Sequence, residues 1–388
     1  MTRLGLCCLF HEQPIKFVTT TATSLAKMPR KDALEKLSRL CLQNADSLQA
    51  AVQFCADQGI TCFRINSQIL PVKTHPKTGY DVLTLPAADE IVRRFKKCGQ
   101  LAQENGVRLC FHPDQFVVMN SPRPEVVESS IRELEYQAEV AEWVGADVIN
   151  IHGGGGYGDK PKALADFSRN LDRLSPNVRS RLTVENDDKI YTPADLLPIC
   201  RAAGLPLVYD VHHHRCNADE LSVEEATRQA LKTWNREPLF HISSPIAGWR
   251  GPNRARHHDF INVKDFPDCW RSLTITVEVE AKAKEVAVLK LLRDLKRTAP
   301  AVDQSWFVYL LRCTDKSLYT GITNNLERRC QQHNAGTASR YTRSRLPTKL
   351  VYHEQQPTRS AALKRELAVK ALSRAQKEKL VKSGARKK

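Results

Sequence analysis

Eight short apolar runs, most of them closing on a polar side chain, restrict the folds open to this chain more than any other feature. They are "RLGLCC" (3–8), "CFRIN" (62–66), "VRLCFHP" (107–113), "DVINIHGG" (147–154), "RLTVEND" (181–187), "PLVYDVH" (206–212), "LFHISS" (239–244) and "LTITVEVE" (273–280). Between them, segments 31–57, 86–105, 124–144, 160–174, 192–203 and 220–235 carry apolar residues at helical spacing. Strands alternating with amphipathic helices predict an α/β chain, and eight strands is the count of a TIM (β/α)8 barrel.

A barrel gathers its chemistry at the C-terminal ends of its strands. The residues that end or follow the runs are Asn66, His112, His152, Glu185 with Asn186, Asp210 with His213, His241, and Glu280. On a closed barrel these side chains converge on one rim. Imidazole with carboxylate suits Zn²⁺, Mn²⁺ or Fe²⁺, and with His75 the rim offers more donors than one ion can use. Two or three divalent ions bridged by carboxylates could position a water for in-line attack on phosphorus. His₂-carboxylate metal sites on this barrel also serve sugar isomerases, so the donor types leave both chemistries open. If the strand continues past Asp210, His212 and His214 point away from His213. Of the pair in "RARHHDFI", His258 is the better site candidate because it leads into an apolar pair.

Charge bears on partners. Lys and Arg number 59 against 43 Asp and Glu, a formal net charge of +16, which favours nucleic acid over a membrane surface. The twelve cysteines include no CxxC pair and sit mostly inside apolar runs, as buried reduced thiols of a cytoplasmic protein do. The apolar stretch before His11 is too short for a signal peptide, and no run long enough for a membrane span occurs.

Periodicity changes in the Pro-containing stretch "DLKRTAPAVDQS", which predicts a barrel over 1–293 and a linker over 294–304. Beyond it, "WFVYLLRCTDKSLYTGIT" reads as strand, turn at Asp315-Lys316, and strand. A helix "NNLERRCQQHN", a strand "TKLVYHEQ" and a basic helix over 359–380 follow. The second domain spans 305–381, and 382–388 is expected to be a disordered basic tail. Lys364, Arg365, Lys370, Arg374, Lys377, Lys379 and Lys382 give it a surface able to contact phosphates.

The segments "RLGLCC", "FRINSQILPVKTHP", "FHPDQFVVMNSPRPEVVESSI", "IHGGGGYGDK", "LTVENDD", "YDVHHHRCN", "RARHHDFI" and "VEAKAKE", in this order, resemble the motif series of UV damage endonucleases over 2–290. The resemblance implies a TIM barrel with up to three divalent metals that nicks DNA immediately 5′ of a photodimer or similar lesion. It assigns metal ligation to His75, His112, His152, Glu185, Asp210, His213, His241 and Glu280, and a catalytic-site role to His258. Gln115 and Phe116 match a pair that probes the lesion, Phe standing where the family often has Tyr. The chain departs from the pattern at Leu6 and Phe10, and at Leu239, where the family can carry a metal-bridging lysine. Mn²⁺ is the expected ion, with Mg²⁺, Co²⁺ or Zn²⁺ as alternatives. The expected partner is lesion-containing double-stranded DNA, with the protein a monomer that needs no membrane.

The C-terminal segment resembles the GIY-YIG nuclease superfamily through Val308-Tyr309-Leu310, Tyr319-Thr320-Gly321, Arg329, His333 and Glu366. That resemblance implies a small α/β domain whose tyrosines, Tyr309 and Tyr319, serve base catalysis. Arg329 would neutralise the transferring phosphoryl group and Glu366 would hold one Mg²⁺ or Mn²⁺. Such a domain would cut or bind DNA, including branched or nicked forms. Competing expectations are a sugar isomerase or apurinic-site nuclease on the same barrel, or a non-catalytic protein that binds damaged DNA.

Overall fold

The computed structural model describes residues 2–298 and 306–384 and divides the chain into two compact units, Met1–Arg297 and Thr298–Lys388. In the first, eight parallel strands form one sheet: β1 (Arg3–Cys7), β2 (Cys62–Ile65), β3 (Arg108–Phe111), β4 (Val148–His152), β5 (Leu182–Glu185), β6 (Leu207–Val208), β7 (Leu239–Ile242) and β8 (Thr276–Val279). Their order is β6-β5-β4-β3-β2-β1-β8-β7. The two ends meet through a parallel bridge between Asp210 and His241, with His241 N–H donating to the Tyr209 carbonyl at 3.1 Å. Helices Arg30–Gln58, Ala88–Glu104, Pro124–Val144, Lys160–Leu171, Pro193–Ala203, Val223–Leu231 and Lys284–Thr298 stand between or after the strands. Most of the apolar core lies between these helices and the sheet.

Inside the barrel the two-residue period of a strand sorts the side chains into layers. Cys62, Cys110, Val148, Val208 and Leu239, from five strands, form a separate buried cluster. Two residues further along the same strands stand Arg64, His112, Asn150, Asp210 and His241, so a polar layer rests on an apolar floor. Leu239, at the position of the family's lysine, is a member of that floor and is fully buried. Gly5 makes room beside it, since a Cβ there would lie 3.1 Å from Cys62 Cβ.

Four expectations need correction. The run through 206–212 does not continue as a strand: Val211–Cys216 is a helix, because Asp210 caps it by accepting from His213 N–H at 2.8 Å. The linker expected over 294–304 does not start at 294, since the helix after β8 runs to Thr298; 299–305 lie outside the described residues. The basic helix over 359–380 is two helices, Arg359–Ala371 and Arg374–Gly384. Leu372 is extended between them, and Ser373 accepts from Gln376 N–H at the start of the second. Residues 382–384 of the expected tail belong to that second helix; 385–388 lie outside the described residues.

The second unit is an antiparallel sheet ordered β10-β9-β11, from β9 (Trp306–Arg312), β10 (Leu318–Thr323) and β11 (Lys349–Gln356), with helix Leu326–Asn334 after β10. Its small core joins Val308 and Leu310 to Ala362 and Val369. Among the described residues the cysteines are free thiols, and no helix is long and apolar enough to cross a membrane.

One buried carboxylate ties the N-terminal loop to the barrel. Glu285 accepts from the backbone N–H of His11 and Glu12, each at 2.7 Å, and of Gln13 at 3.2 Å. Glu285→Ala leaves these donors without their charged acceptor. It should lower barrel stability by about 3 kcal/mol in urea denaturation, by the scale of charge-assisted hydrogen bonds.

Candidate active site

Glu185, at the C-terminal end of β5, is the hub of the barrel mouth. It has no solvent exposure, yet both its oxygens are engaged by imidazoles. Oε2 lies 2.9 Å from His112 Nε2, and Oε1 lies 3.0 Å from His241 Nδ1 and 3.3 Å from His213 Nδ1. Asn150 Nδ2 donates to Oε2 at 2.6 Å. Burial opposes ionisation of Glu185, but His241 and His152 beside it overcome that cost and hold its carboxyl well below the usual range. Burial likewise pushes His241 down, and Glu185 more than reverses this, raising it to about 10. At His152 burial outweighs the neighbouring Glu185 and lowers the pKa.

Three sets of donors lie close enough to share an ion: His112, His152 and Glu185; His112, His241 and Glu280; and Glu185, Asp210 and His213. The fit to cations goes beyond proximity. His152 Nδ1 and Asp210 Oδ2 are buried without a hydrogen-bond partner, a costly state for polar atoms unless something else satisfies them. Asp210 spends Oδ1 on the helix cap, which leaves Oδ2 turned to the cluster, 3.4 Å from His213 Nδ1. Asn186 fixes the Asp210 backbone by hydrogen bonds of 2.9 and 3.0 Å. Beyond His152 the chain turns through Gly154, whose φ of 86° and approach to Asn120 exclude a side chain, a Cβ lying 2.1 Å from Asn120 Oδ1.

A fourth set, Cys62, Cys110 and Glu278, lies deeper. Its carboxylate is already neutralised by Arg64, whose Nε donates to Glu278 Oε2 at 2.8 Å, and burial holds the Cys110 thiol strongly protonated. It is a hydrogen-bonded layer and not a cation site. Arg64 also donates to Glu280 Oε1 at 2.7 Å. Arg64, Glu278 and Asn150 escaped the sequence reading, although the alternation in "CFR", "VIN" and "TVEVE" carries them to the inner face.

Two expected residues stand apart from the cluster. His75 Nδ1 is held by its own turn, 3.0 Å from Thr78 Oγ1 and accepting from Thr78 N–H at 3.2 Å, and His75 belongs to none of the donor sets. His258 accepts from Phe260 N–H at 2.9 Å and lines a separate cavity with Trp249 and Asp265. Its neighbour His257 faces the cluster instead, 3.8 Å from Glu280 Oε2, with its ring 5.2 Å from His212 and 6.3 Å from His213. A loop that is not a strand gave no periodicity from which to choose between them.

Gln115 and Phe116 line the cavity of about 590 Å³ at the barrel mouth, together with Cys8, Arg64 and His112. Phe116 is 77 % exposed, an unusual position for a large aromatic. Phe116 also lines a second cavity, of about 380 Å³, together with His75.

Residues 2–305 match the family model of the UV-endonuclease UvdE, and 305–379 that of the GIY-YIG catalytic domain. The chain belongs to the UvdE family. Such membership makes it a DNA repair endonuclease. The UV DNA damage endonuclease of Bacillus thuringiensis subsp. konkukian (strain 97-27) is 31% identical over 285 residues, 71% of this chain and 88% of the relative; that of Bacillus mycoides (strain KBAB4) is 32% identical over the same shares. The crystal structure of SacUVDE superposes with a TM-score of 0.69 at 28% identity, covering 77% of this chain and 99% of the other. Endonuclease IV from Thermus thermophilus, at 16% identity and a TM-score of 0.50 over 76% of this chain and 98% of its own, shares the fold.

In the second unit, Tyr309 is buried and hydrogen-bonded in a directed chain. Arg329 Nε–H donates to Tyr309 Oη at 3.3 Å, and Tyr309 O–H reaches His333 Nε2 at 2.9 Å. His333 Nδ1–H then donates to Thr342 Oγ1 at 2.7 Å, whose hydroxyl donates to the Ser339 carbonyl. Gly321, paired with Tyr309 across β9 and β10, is required here because a Cβ would lie 2.6 Å from Tyr309 Oη. The Tyr319 ring stands 5.0 Å from His333. Glu366 is paired with Lys370 at 2.9 Å.

Burial, with Arg329 nearby, lowers His333 from its ordinary 6.5 to about 4, while burial lifts Tyr309 to about 12. His333 is therefore a neutral acceptor above about pH 5, while the unfolded chain takes up its proton first on acidification. The His333 Cε1–H resonance should stay flat between about pH 8 and pH 5, and the second unit should lose stability as pH falls from 6.5 towards 4. A midpoint near 6.5 would contradict the directed chain.

Proposed function

We propose that the barrel is a divalent-metal-dependent endonuclease that nicks the phosphodiester immediately 5′ of UV photoproducts or similar distorting lesions in double-stranded DNA. The observation that carries this reading is Glu185, fully buried and touched by three imidazoles, beside two buried polar atoms that lack a hydrogen-bond partner. His112, His152, Glu185, Asp210, His213, His241 and Glu280 would hold the ions, with Mn²⁺ the first candidate. Ions bound there supply a nucleophilic water at neutral pH and neutralise charge on the phosphate. Glu185 orients the donors, and Arg64, paired with Glu278 and Glu280, holds the layer behind them. Phe116, exposed at that mouth beside Gln115, has the shape of a wedge for a base stack that damage has already weakened.

The test is incision of a duplex carrying one defined photodimer, using metal-stripped protein supplied in turn with Mn²⁺, Mg²⁺, Co²⁺ and Zn²⁺, with the break mapped. Incision should require an added ion and fall on the 5′ side. Glu185→Gln and His112→Ala should each slow it at least about 100-fold, because misplacing a donor misplaces the attacking water. Gln115→Ala with Phe116→Ala should weaken discrimination between damaged and intact duplex more than binding to either. Cutting by stripped protein, or at near-unaltered rates in the Glu185 and His112 variants, would refute the assignment.

The GIY-YIG unit is proposed as a second nuclease centre for branched or nicked DNA. Arg329 would meet the phosphate, Glu366 would hold one Mg²⁺ or Mn²⁺, and Tyr319 and Tyr309 would serve base catalysis, with Tyr309 oriented by its hydrogen bond to neutral His333. Tyr319→Phe, Arg329→Ala and Glu366→Ala in the full chain should each abolish cleavage of branched DNA and leave lesion incision intact. If no branched substrate is cut by the unaltered protein, the unit is a DNA tether. Its removal should then raise Kd and flatten the salt dependence of binding.

A further inference from the structure

Two charged residues lie directly behind the ligand cluster without belonging to it. Glu278 Oε2 is 2.8 Å from His241 Nε2, and Oε1 accepts from the Cys110 thiol at 2.9 Å. Arg64 binds Glu278 through Nε and Nη2, and its Nη2 also donates to Glu280 Oε1 at 2.7 Å. This pair thus touches two of the cluster's donors, each on the side away from Glu185 or through one oxygen only.

The His241 ring has its two nitrogens in different surroundings. Nδ1 faces the cluster, 3.0 Å from Glu185 Oε1 and 3.4 Å from Glu280 Oε1. An imidazole offers a cation only a nitrogen that carries no hydrogen. With Nδ1 given to an ion, the hydrogen must sit on Nε2, and the carboxylate that faces Nε2 is Glu278. Arg64 Nη2 lies 3.1 Å from the same nitrogen but can only donate, and the two carboxylates already accept from it. We propose that Glu278, anchored by Arg64, is a positioning residue that fixes His241 with Nδ1 towards the metal centre and strengthens it as a donor. In the same arrangement Arg64 occupies Oε1 of Glu280 and so sets which carboxylate oxygen turns to the ions. The proposal rests on the metal reading given above. A carboxylate that accepts the remote N–H of a ligand histidine raises its basicity and restricts its rotation, and loss of such a partner typically weakens metal binding about 10- to 100-fold.

The full-length chain is titrated with Mn²⁺, following free ion by electron paramagnetic resonance, and the absorption spectrum of the Co²⁺-loaded protein is recorded. Glu278→Gln keeps the shape and removes the charge. Its apparent Kd for Mn²⁺ should rise by about 10- to 100-fold, with a displaced Co²⁺ spectrum and a retained circular dichroism spectrum. Cys110→Ala takes the other hydrogen bond from Glu278 and loosens the same layer, but should leave affinity and spectrum unchanged. If Gln prevents folding, Glu278→Asp decides the matter: it keeps the charge beside Arg64, is one methylene short of His241, and should show the same spectral displacement. Unaltered affinity and spectrum in a folded Glu278 variant would overturn the proposal, as would an equal loss in Cys110→Ala. Failure of the unaltered chain to bind Mn²⁺ or Co²⁺ would instead remove the metal reading itself, and this inference with it.

Discussion

The parallel bridge between Asp210 and His241 closes the barrel, and both residues are donors in the cluster. The ring is therefore closed by the side of the mouth where the chemistry is concentrated. β6 has only two residues in the sheet, so little else holds this seam, apart from Tyr209 packing against Phe240 and Trp270 beneath it. Asp210 must end a strand, cap a helix and present an oxygen to the centre. These demands agree because a capping aspartate uses one carboxylate oxygen and leaves the other free.

Strand alternation then distributes charge without further instruction. Arg64, His112, Asn150, Asp210 and His241 each sit two positions beyond a floor residue on the same strand, so one structural period yields both a dry floor and a polar layer. The desolvation cost of burying Glu185, Glu278 and Glu280 is offset inside the layer by Arg64 and the imidazoles. Leu239 completes the floor among Cys62, Cys110, Val148 and Val208, which gives that departure from the family pattern a packing role.

Much of this was legible in the residues. Short β-branched and apolar runs ending in His, Glu or Asp fix the strand register, since a slip by one residue would turn every donor outward. What was not legible follows from the limits of periodicity. The helix after Asp210 is too short to show a 3.6-residue pattern, so "VHHH" read as a strand, and only the cap decides otherwise. The choice between His257 and His258 depends on a loop path with no period at all. Arg64 and Glu278 were missed although strand alternation turns them inward, and their mutual contact joins residues 214 apart in sequence. In the second unit, Tyr309, Arg329 and His333 were legible by type and order; the direction of their hydrogen bonds required Thr342 and Ser339, which carry no motif.

The apolar floor makes the barrel interior a blind shaft. With Leu239 and its neighbours sealing one end, Glu185 is approached through the mouth lined by Arg64, His112, Gln115 and Phe116. A duplex lying across that opening would act as a stopper. The water needed for hydrolysis must then be aboard before the strand docks, and exchange with bulk solvent stops until the nicked strand leaves.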